Sequence, residues 1–191
     1  VAKFDASLCG QSGHTDTYGN VWTITRAVAG RKTVVQSPSA RSAHGIWLFG
    51  TDDYIDLPSG ALPVSTSPFS MFVAFRIWEN GVAGTALCLG PSSGNTDLRI
   101  STRATPTRPA LIVPSNTGNA TGPIVGTKWV GIATSDGGTG QTLYINGFVT
   151  APGSLAMGTV STGRIGANSA PNEFLDMELM GVGIANRILT S

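Results

Sequence analysis

The sequence predicts an all-β chain folded as a two-sheet antiparallel β-sandwich, on three observations. A dozen or so short apolar or alternating runs follow one another, most of them closed by Gly, Pro, Asn or Asp, which is the punctuation of strands and turns. Only 12% of residues are charged while 41% are hydrophobic; a typical soluble domain is about 25% charged. That combination excludes disorder and fits short strands joined by uncharged Gly-, Ser- and Thr-rich loops. The third observation is the stretch 129–150, which contains a complete three-strand meander. Asn146-Gly147 supplies the two positive-φ positions that a type I′ turn demands, and the glycine-rich 136–140 closes the other hairpin. Leu143 and Ile145 then face one side and Tyr144 the other.

The remaining elements follow in chain order. Residues 3–9 read as an opening edge strand, and 10–20 as a polar loop with Gly10, Gly13, Asp16, Gly19 and Asn20 as turn formers. The run 22–25 alternates as a strand, and Val34-Val35 predicts another short one before Pro38 interrupts. The apolar run 46–49 and the alternating run 54–57 flank 50–53, which reads as a hairpin or bulge between them. Residues 69–77 form the most hydrophobic run and predict a central strand, with a turn at Asn80-Gly81. Two weaker strands are expected at 85–90 and 97–102. Ala, Pro and Thr make 103–110 irregular, and 111–113 a short strand. The runs 164–166 and 174–184 complete the sheets, and 186–189 predicts one helical turn at the end. At 191 residues, with no repeat and no linker, the chain suits one domain spanning 1–191.

Composition removes several function classes. Net charge is +1, the three lysines are scattered, and Arg26, Arg31 and Lys32 form the one small basic cluster. A nucleic-acid surface would concentrate positive charge beside an aromatic motif, so nucleic acid is not an expected partner. No apolar run approaches the roughly 18 residues of a membrane span, and residues 1–5 lack the apolar core of a secretion signal. Cys9 and Cys88 admit one disulfide or two buried thiols; two such cysteines without a His-x₃₋₅-His partner make no zinc motif.

Four segments, in the right order, resemble the laminin-G-like domains of the concanavalin A-like superfamily. Leu48-Phe-Gly-Thr-Asp-Asp-Tyr-Ile-Asp-Leu-Pro58 is similar to that family's "F-D-G-x-D-D-Y-V-x-x-P" segment, and Phe69-Ser-Met-Phe-Val-Ala-Phe75 to its "F-T-I-S-A-W" strand. The meander 129–147 resembles "W-x-x-V-A-x-x-x-D-G-G-x-x-x-L-Y-V-N-G". Arg164-Ile-Gly166 with Val182-Gly-Ile-Ala-Asn-Arg-Ile-Leu189 resembles the closing "R-I-G … V-R-I-Y-N-R-A-L". The resemblance implies a concanavalin A-like jelly roll of two curved antiparallel sheets. It implies much less about function, because the fold hosts lectins, glycosidases, adhesion modules and virion proteins. Where the family's last strand often carries Asp-Glu, this chain has Met180-Gly181, so no acidic or metal role carries over to that pair.

Candidate chemistry is sparse. Glucanases of this fold set their carboxylates on one strand as Glu-x-Asp-x-x-Glu or Glu-x-Asp-x-Glu, and the comparable stretch here is Glu173-Phe-Leu-Asp176-Met-Glu178. Asp176 and Glu178 would share a face, but Glu173 has the opposite parity, so the chain reads as a non-enzyme. His14 and His44 lack a nucleophile context, and no Gly-x-Ser-x-Gly elbow exists. No cofactor is expected, with calcium held open: Asp52 and Asp53 adjoin, and Asp16, Asn20 or Asp97 could approach them. The competing reading is that Asp52 and Asp53 cap a turn. Carbohydrate binding needs an aromatic platform for sugar C–H faces and planar polar groups for hydroxyls. Trp78 with Asn80, beside Glu79, is one candidate platform, and Trp22 with Tyr18 another; Trp47 and Trp129 fit core positions.

The leading expectation is a non-catalytic virion surface protein, as a phage capsid decoration, head-spike or tail-associated module. It would work by protein contacts in a symmetric or oligomeric assembly, with glycan recognition at a host surface as an added role. The alternatives are a secreted, extracellular calcium-dependent lectin-like module and, last, a glycoside hydrolase.

Overall fold

A computed structural model describes residues 2–5, 13–15, 21–25, 46–48, 54–77, 83–91, 97–104, 107–112, 120–121, 128–138, 140–150, 157–168, 170 and 172–189. They form two antiparallel sheets. The seven-stranded sheet contains β1 (Ala2–Asp5), β4 (Ile46–Leu48), β6 (Phe69–Ile77), β11 (Lys128–Ser135), β12 (Gln141–Ile145), β13 (Phe148–Thr150) and β15 (Met177–Ala185). The eight-stranded sheet contains β2 (Gly13–Thr15), β3 (Val21–Thr25), β5 (Tyr54–Asp56), β7 (Gly84–Gly90), β8 (Leu98–Ala104), β9 (Thr107–Ile112), β10 (Ala120–Thr121) and β14 (Thr162–Ile165). Among the described residues, helix is confined to one 3₁₀ turn, Ser59–Ala61, and no helix is long and apolar enough to cross a membrane.

The first sheet is ordered β1–β15–β6–β11–β12–β13, with β4 also paired to β15; the second is ordered β10–β9–β8–β7–β14–β5–β3–β2. The chain repeatedly changes sheet, as a two-sheet jelly roll does. Strand β6 lies between β15 and β11, as its hydrophobicity predicts. Its alternate residues Phe69, Met71, Val73, Phe75 and Ile77 belong to the same core as Leu87, Leu89, Leu98 and Ile100 of the other sheet. Each such side chain, fully buried, contributes about 1.5–3 kcal/mol of transfer free energy.

The meander forms as expected. Asn146 has φ 45° and Gly147 φ 86°, and β12 and β13 pair around them from Ile145↔Phe148. At the other hairpin, Asp136 Oδ1 accepts hydrogen bonds from the backbone N–H groups of Gly138 (2.7 Å) and Gly140 (3.1 Å). An aspartate thus satisfies the donors that the tight glycine turn leaves pointing inward.

Five local expectations are corrected, the first being the loop over 10–20, which contains strand β2, paired with β3. Strands β4 and β5 are not a hairpin or a bulged pair: β4 pairs with β15 in one sheet and β5 with β3 and β14 in the other. Two short apolar runs look alike in sequence whether they pair with each other or part company. Residues 107–110 are not irregular but belong to β9, with Pro109 opposite Thr102. On its other side, β10 reaches only Ala110 and Leu111, so Pro109 is paired on one side only. The final strand starts at Met177 rather than at residue 174, and its register slips between Leu179 and Gly181. Met180-Gly181, the pair that departs from the family pattern, thus sits at a β-bulge. Residues 186–189 form no helical turn; they cross the sheet as described below. Val34-Val35 lies outside the described residues.

Candidate functional site

Strand β11 shows an inverted pattern. Its small residues Gly131 and Ala133 are buried, while the bulky Val130 and Ile132 face outward. A Cβ built on Gly131 would stand 3.0 Å from both Ile100 and Ile145, so the inner surface has no room for a larger residue. The apolar volume of this strand is spent on the outside instead. Antiparallel register extends the effect sideways: Ile132 lies opposite Phe72 of β6 and Tyr144 of β12, and Tyr144 opposite Val149 of β13.

The result is a groove of about 290 Å³ on the outer face of the seven-stranded sheet, lined by Val130, Ile132, Tyr144, Asn146, Gly147, Val149 and Leu189. Val130 is 47% exposed and Val149 64%, high values for valines in a sheet. Asn146 stands at one end, held by a reciprocal pair: its backbone N–H donates to Val130 O (3.1 Å), and Val130 N–H donates to its side-chain Oδ1 (2.8 Å). The I′ turn therefore fixes the plane of an exposed amide beside a half-buried tyrosine ring. None of these described lining residues is charged.

The eight-stranded sheet differs, because a connecting segment runs against β7. Residues 172–176 pass close beside β7: Thr85 N–H donates to Glu173 O (3.1 Å), and a Cβ on Gly84 would meet Phe174 O at 2.5 Å. Beside this segment Arg99 is 3% exposed. Its guanidinium binds Asp97 Oδ1 through Nη2 and Glu173 Oε2 through Nη1, each at 2.8 Å. Cys88 donates its thiol to Asp97 Oδ2 (3.2 Å), and Thr85 donates to Glu173 Oε2 (3.2 Å). Burial alone would push the Arg99 pKa down, but the hydrogen bond and charge of Asp97, with Glu173 and Cys88 adding to them, hold it above the ordinary value. Alongside, Arg164 Nε pairs with Asp56 Oδ1 (2.9 Å) and its guanidinium lies 5.2 Å from the Tyr54 ring centroid.

The predicted acidic row is split by this topology. Glu173 joins Arg99 at the eight-stranded sheet, whereas Glu178 is buried at the seven-stranded one, 2.9 Å from Arg76. Asp176 precedes β15, so strand alternation does not reach it. Asp97 and Glu173 do share one neighbourhood, but a guanidinium lies between them, where glycoside hydrolysis needs an open gap for the scissile bond. Asp97, considered for calcium, is instead engaged with Arg99 and Cys88; among the described residues no group of three His, Cys, Asp or Glu could hold a metal. Cys88 carries a thiol, and Cys9 lies outside the described residues.

Trp78, Asn80, Tyr18, Asp52 and Asp53 also lie outside the described residues, as do Asp16 and Asn20. Trp22 is placed only by its backbone in β3, opposite His14 of β2. The sequence pattern sets Tyr144 on the face opposite Leu143 and Ile145 and marks none of the other apolar groove residues. The available signal was Val130-Gly131-Ile132-Ala133, where small and bulky residues alternate in the sense opposite to an ordinary half-buried strand.

No protein-family model and no curated protein sequence matches the chain. Solved structures do resemble it. A Trypanosoma rangeli sialidase, in complex with a difluoro-KDN compound, superposes with a TM-score of 0.71 at 15% identity, over 98% of this chain and 30% of the sialidase. Domain 4 of AbnA, an extracellular GH43 arabinanase of Geobacillus stearothermophilus in complex with arabinotriose, gives a TM-score of 0.61 at 16% identity, over 99% of this chain and 93% of that one. The binding domain of botulinum neurotoxin DC, in complex with SialylT, gives 0.60 at 11% identity, over 91% and 44%. The chain thus spans less than a third of the sialidase and nearly all of the arabinanase domain. At these identities the likeness shows the fold alone, an all-β sandwich of the jelly-roll kind.

Proposed function

We propose that this chain is a non-catalytic glycan-binding module that takes a neutral saccharide in the groove of its seven-stranded sheet. The observation that carries the reading is the pairing of the Tyr144 ring with the fixed Asn146 amide along an uncharged apolar trough. An aromatic ring and valine methyl groups cover the C–H face of a sugar, while an oriented amide and the backbone of Gly147 meet its hydroxyls. The absence of charge among the lining residues favours a neutral sugar over a sialic or uronic acid. Arabinotriose in a domain of similar fold and similar length supports the class.

The test is titration of the purified chain against a broad neutral and acidic glycan panel, with calcium and with EDTA. Binding to a neutral glycan that Tyr144→Ala or Asn146→Ala abolishes, with the thermal midpoint kept, supports the groove. Binding abolished by EDTA or by Trp78→Ala, and untouched by Tyr144→Ala, would transfer the site to the loops around Asp52, Asp53 and Trp78.

A second reading keeps the virion surface role, as a capsid decoration, head-spike or tail-associated protein with protein partners. It draws on exposed apolar side chains such as Val64 and Val149, the latter on the sheet-edge strand β13, where another chain could dock. Light scattering of the purified chain and co-sedimentation with particles would test it.

A further inference from the structure

We propose that the groove receives the end of a saccharide chain and not its interior, because the segment that follows β15 walls off one end. The inference rests on the glycan-binding reading above. Its basis is an asymmetry of exposure along a single sheet face. Val130 and Val149 are largely open, yet Ser70 and Thr134, outward positions paired across β6 and β11, are only 1% and 5% exposed. Something lies over that end of the sheet.

The cover is the chain leaving β15. The Ser70 hydroxyl donates to Arg187 O and accepts from Leu189 N–H, each at 2.8 Å. One side chain thereby satisfies both a carbonyl and an amide of the crossing segment, which places 187–189 across the sheet at the level of Ser70 and Thr134. Leu189 then becomes a lining residue of the groove.

Register orders the groove from this wall outward. Thr134 comes first, then Ile132 level with Tyr144, then Val130, which is hydrogen-bonded to Asn146. Successive outward positions on a strand are about 7 Å apart, so the wall and the far end of the trough are separated by only about 14 Å. A terminal sugar stacked on Tyr144 would abut Leu189, and the chain behind it would leave past Asn146 and Gly147. An internal segment would need to continue in both directions, and the wall denies it one. Level with the wall lie Ser70, Thr134 and, opposite Thr134, Thr142, polar residues that would extend the site in that direction.

The experiment is calorimetric titration with ladders of arabino-, xylo- and cello-oligosaccharides of increasing length. It compares the native chain, Leu189→Ala, and a chain shortened to end at Asn186. The native affinity is expected to level off after the shortest members. In the variants it should climb with length, by about tenfold over the ladder, which is roughly 1.4 kcal/mol. Should the shortened chain misfold, as thermal melting would reveal, Leu189→Ala still decides. A native affinity that climbs steadily with length overturns the wall and leaves glycan binding standing. Flat affinities in native and variant chains alike show that the segment is not what limits length. A well-folded native chain that binds no ladder and no member of the glycan panel removes the glycan-binding reading and this inference with it.

Discussion

Replacing Arg99 by methionine tests whether the buried cluster on the eight-stranded sheet holds the fold together. Methionine keeps most of the side-chain volume and removes the charge. Asp97, 1% exposed and 2.8 Å from the guanidinium, would then lose that ion pair while its carboxylate stays buried. Removing one partner of a buried ion pair costs about 3–5 kcal/mol, because the other charge stays desolvated. Glu173 adds little, since its carboxylate is 45% exposed and can turn to water. For a chain of this size about 2–4 °C of Tm accompanies each kcal/mol, so a fall on the order of 6–20 °C is expected. The assay is urea denaturation of Arg99→Met, Asp97→Asn and the double variant. Asparagine preserves the shape of Asp97 without its charge, so the double variant should recover much of the loss and reveal a coupling of about 2–3 kcal/mol. A loss below about 1 kcal/mol for Arg99→Met, or simple additivity in the double variant, would refute the argument that Asp97 needs its cation.

Three further expectations concern pH, glycines and the groove. The Arg99 pKa is raised on folding, so its stabilisation is complete below the ordinary arginine pKa and is lost only as pH climbs through the still higher folded value; stability of the native chain minus that of Arg99→Met should therefore show no decline from neutral pH into mild alkali. Gly84→Ala should destabilise more than Gly147→Ala. The first drives a Cβ to 2.5 Å from the Phe174 carbonyl oxygen, while the second meets nothing within 4 Å and incurs only the positive-φ penalty of about 1–2 kcal/mol. Equal unfolding midpoints for the two would contradict the close passage of 172–176 beside β7. In the groove, Tyr144→Ala should weaken binding of a neutral saccharide at least tenfold, about 1.4 kcal/mol, while Tyr144→Phe, which keeps the ring, should retain most of it.

What could be read without tertiary structure was local in origin. The Asn146-Gly147 hairpin is decided by two residues that tolerate positive φ, the centrality of β6 by nine consecutive residues, and the separation of Tyr144 from the face of Leu143 and Ile145 by strand alternation. Each depends on neighbours a few positions away, so alternation and turn chemistry suffice. The sheet membership of β4 and β5 depends on partners 100 and more residues downstream, at Met177–Leu179 for β4 and at Arg164 and Ile165 for β5. Nothing in the two runs themselves encodes that choice.

The candidate site divides along the same line. Leu98-Arg99-Ile100-Ser101 alternates like any half-exposed strand, and Arg99 does face away from the core. It is 3% exposed and is met there by Glu173, 74 positions later. The aromatic platforms expected from tryptophans were chosen by residue type, whereas the groove is assembled by register: Val130, Ile132, Tyr144 and Val149 become one surface only when three strands align. The sequence by itself determined the all-β class, the meander and its turns, because backbone sterics and two-residue periodicity act over short range. The meeting of apolar residues on an outer face, the covering of one charge and the tie of Arg187 and Leu189 to Ser70 came only with the tertiary structure, because pairing register and burial are properties of segments far apart in the chain.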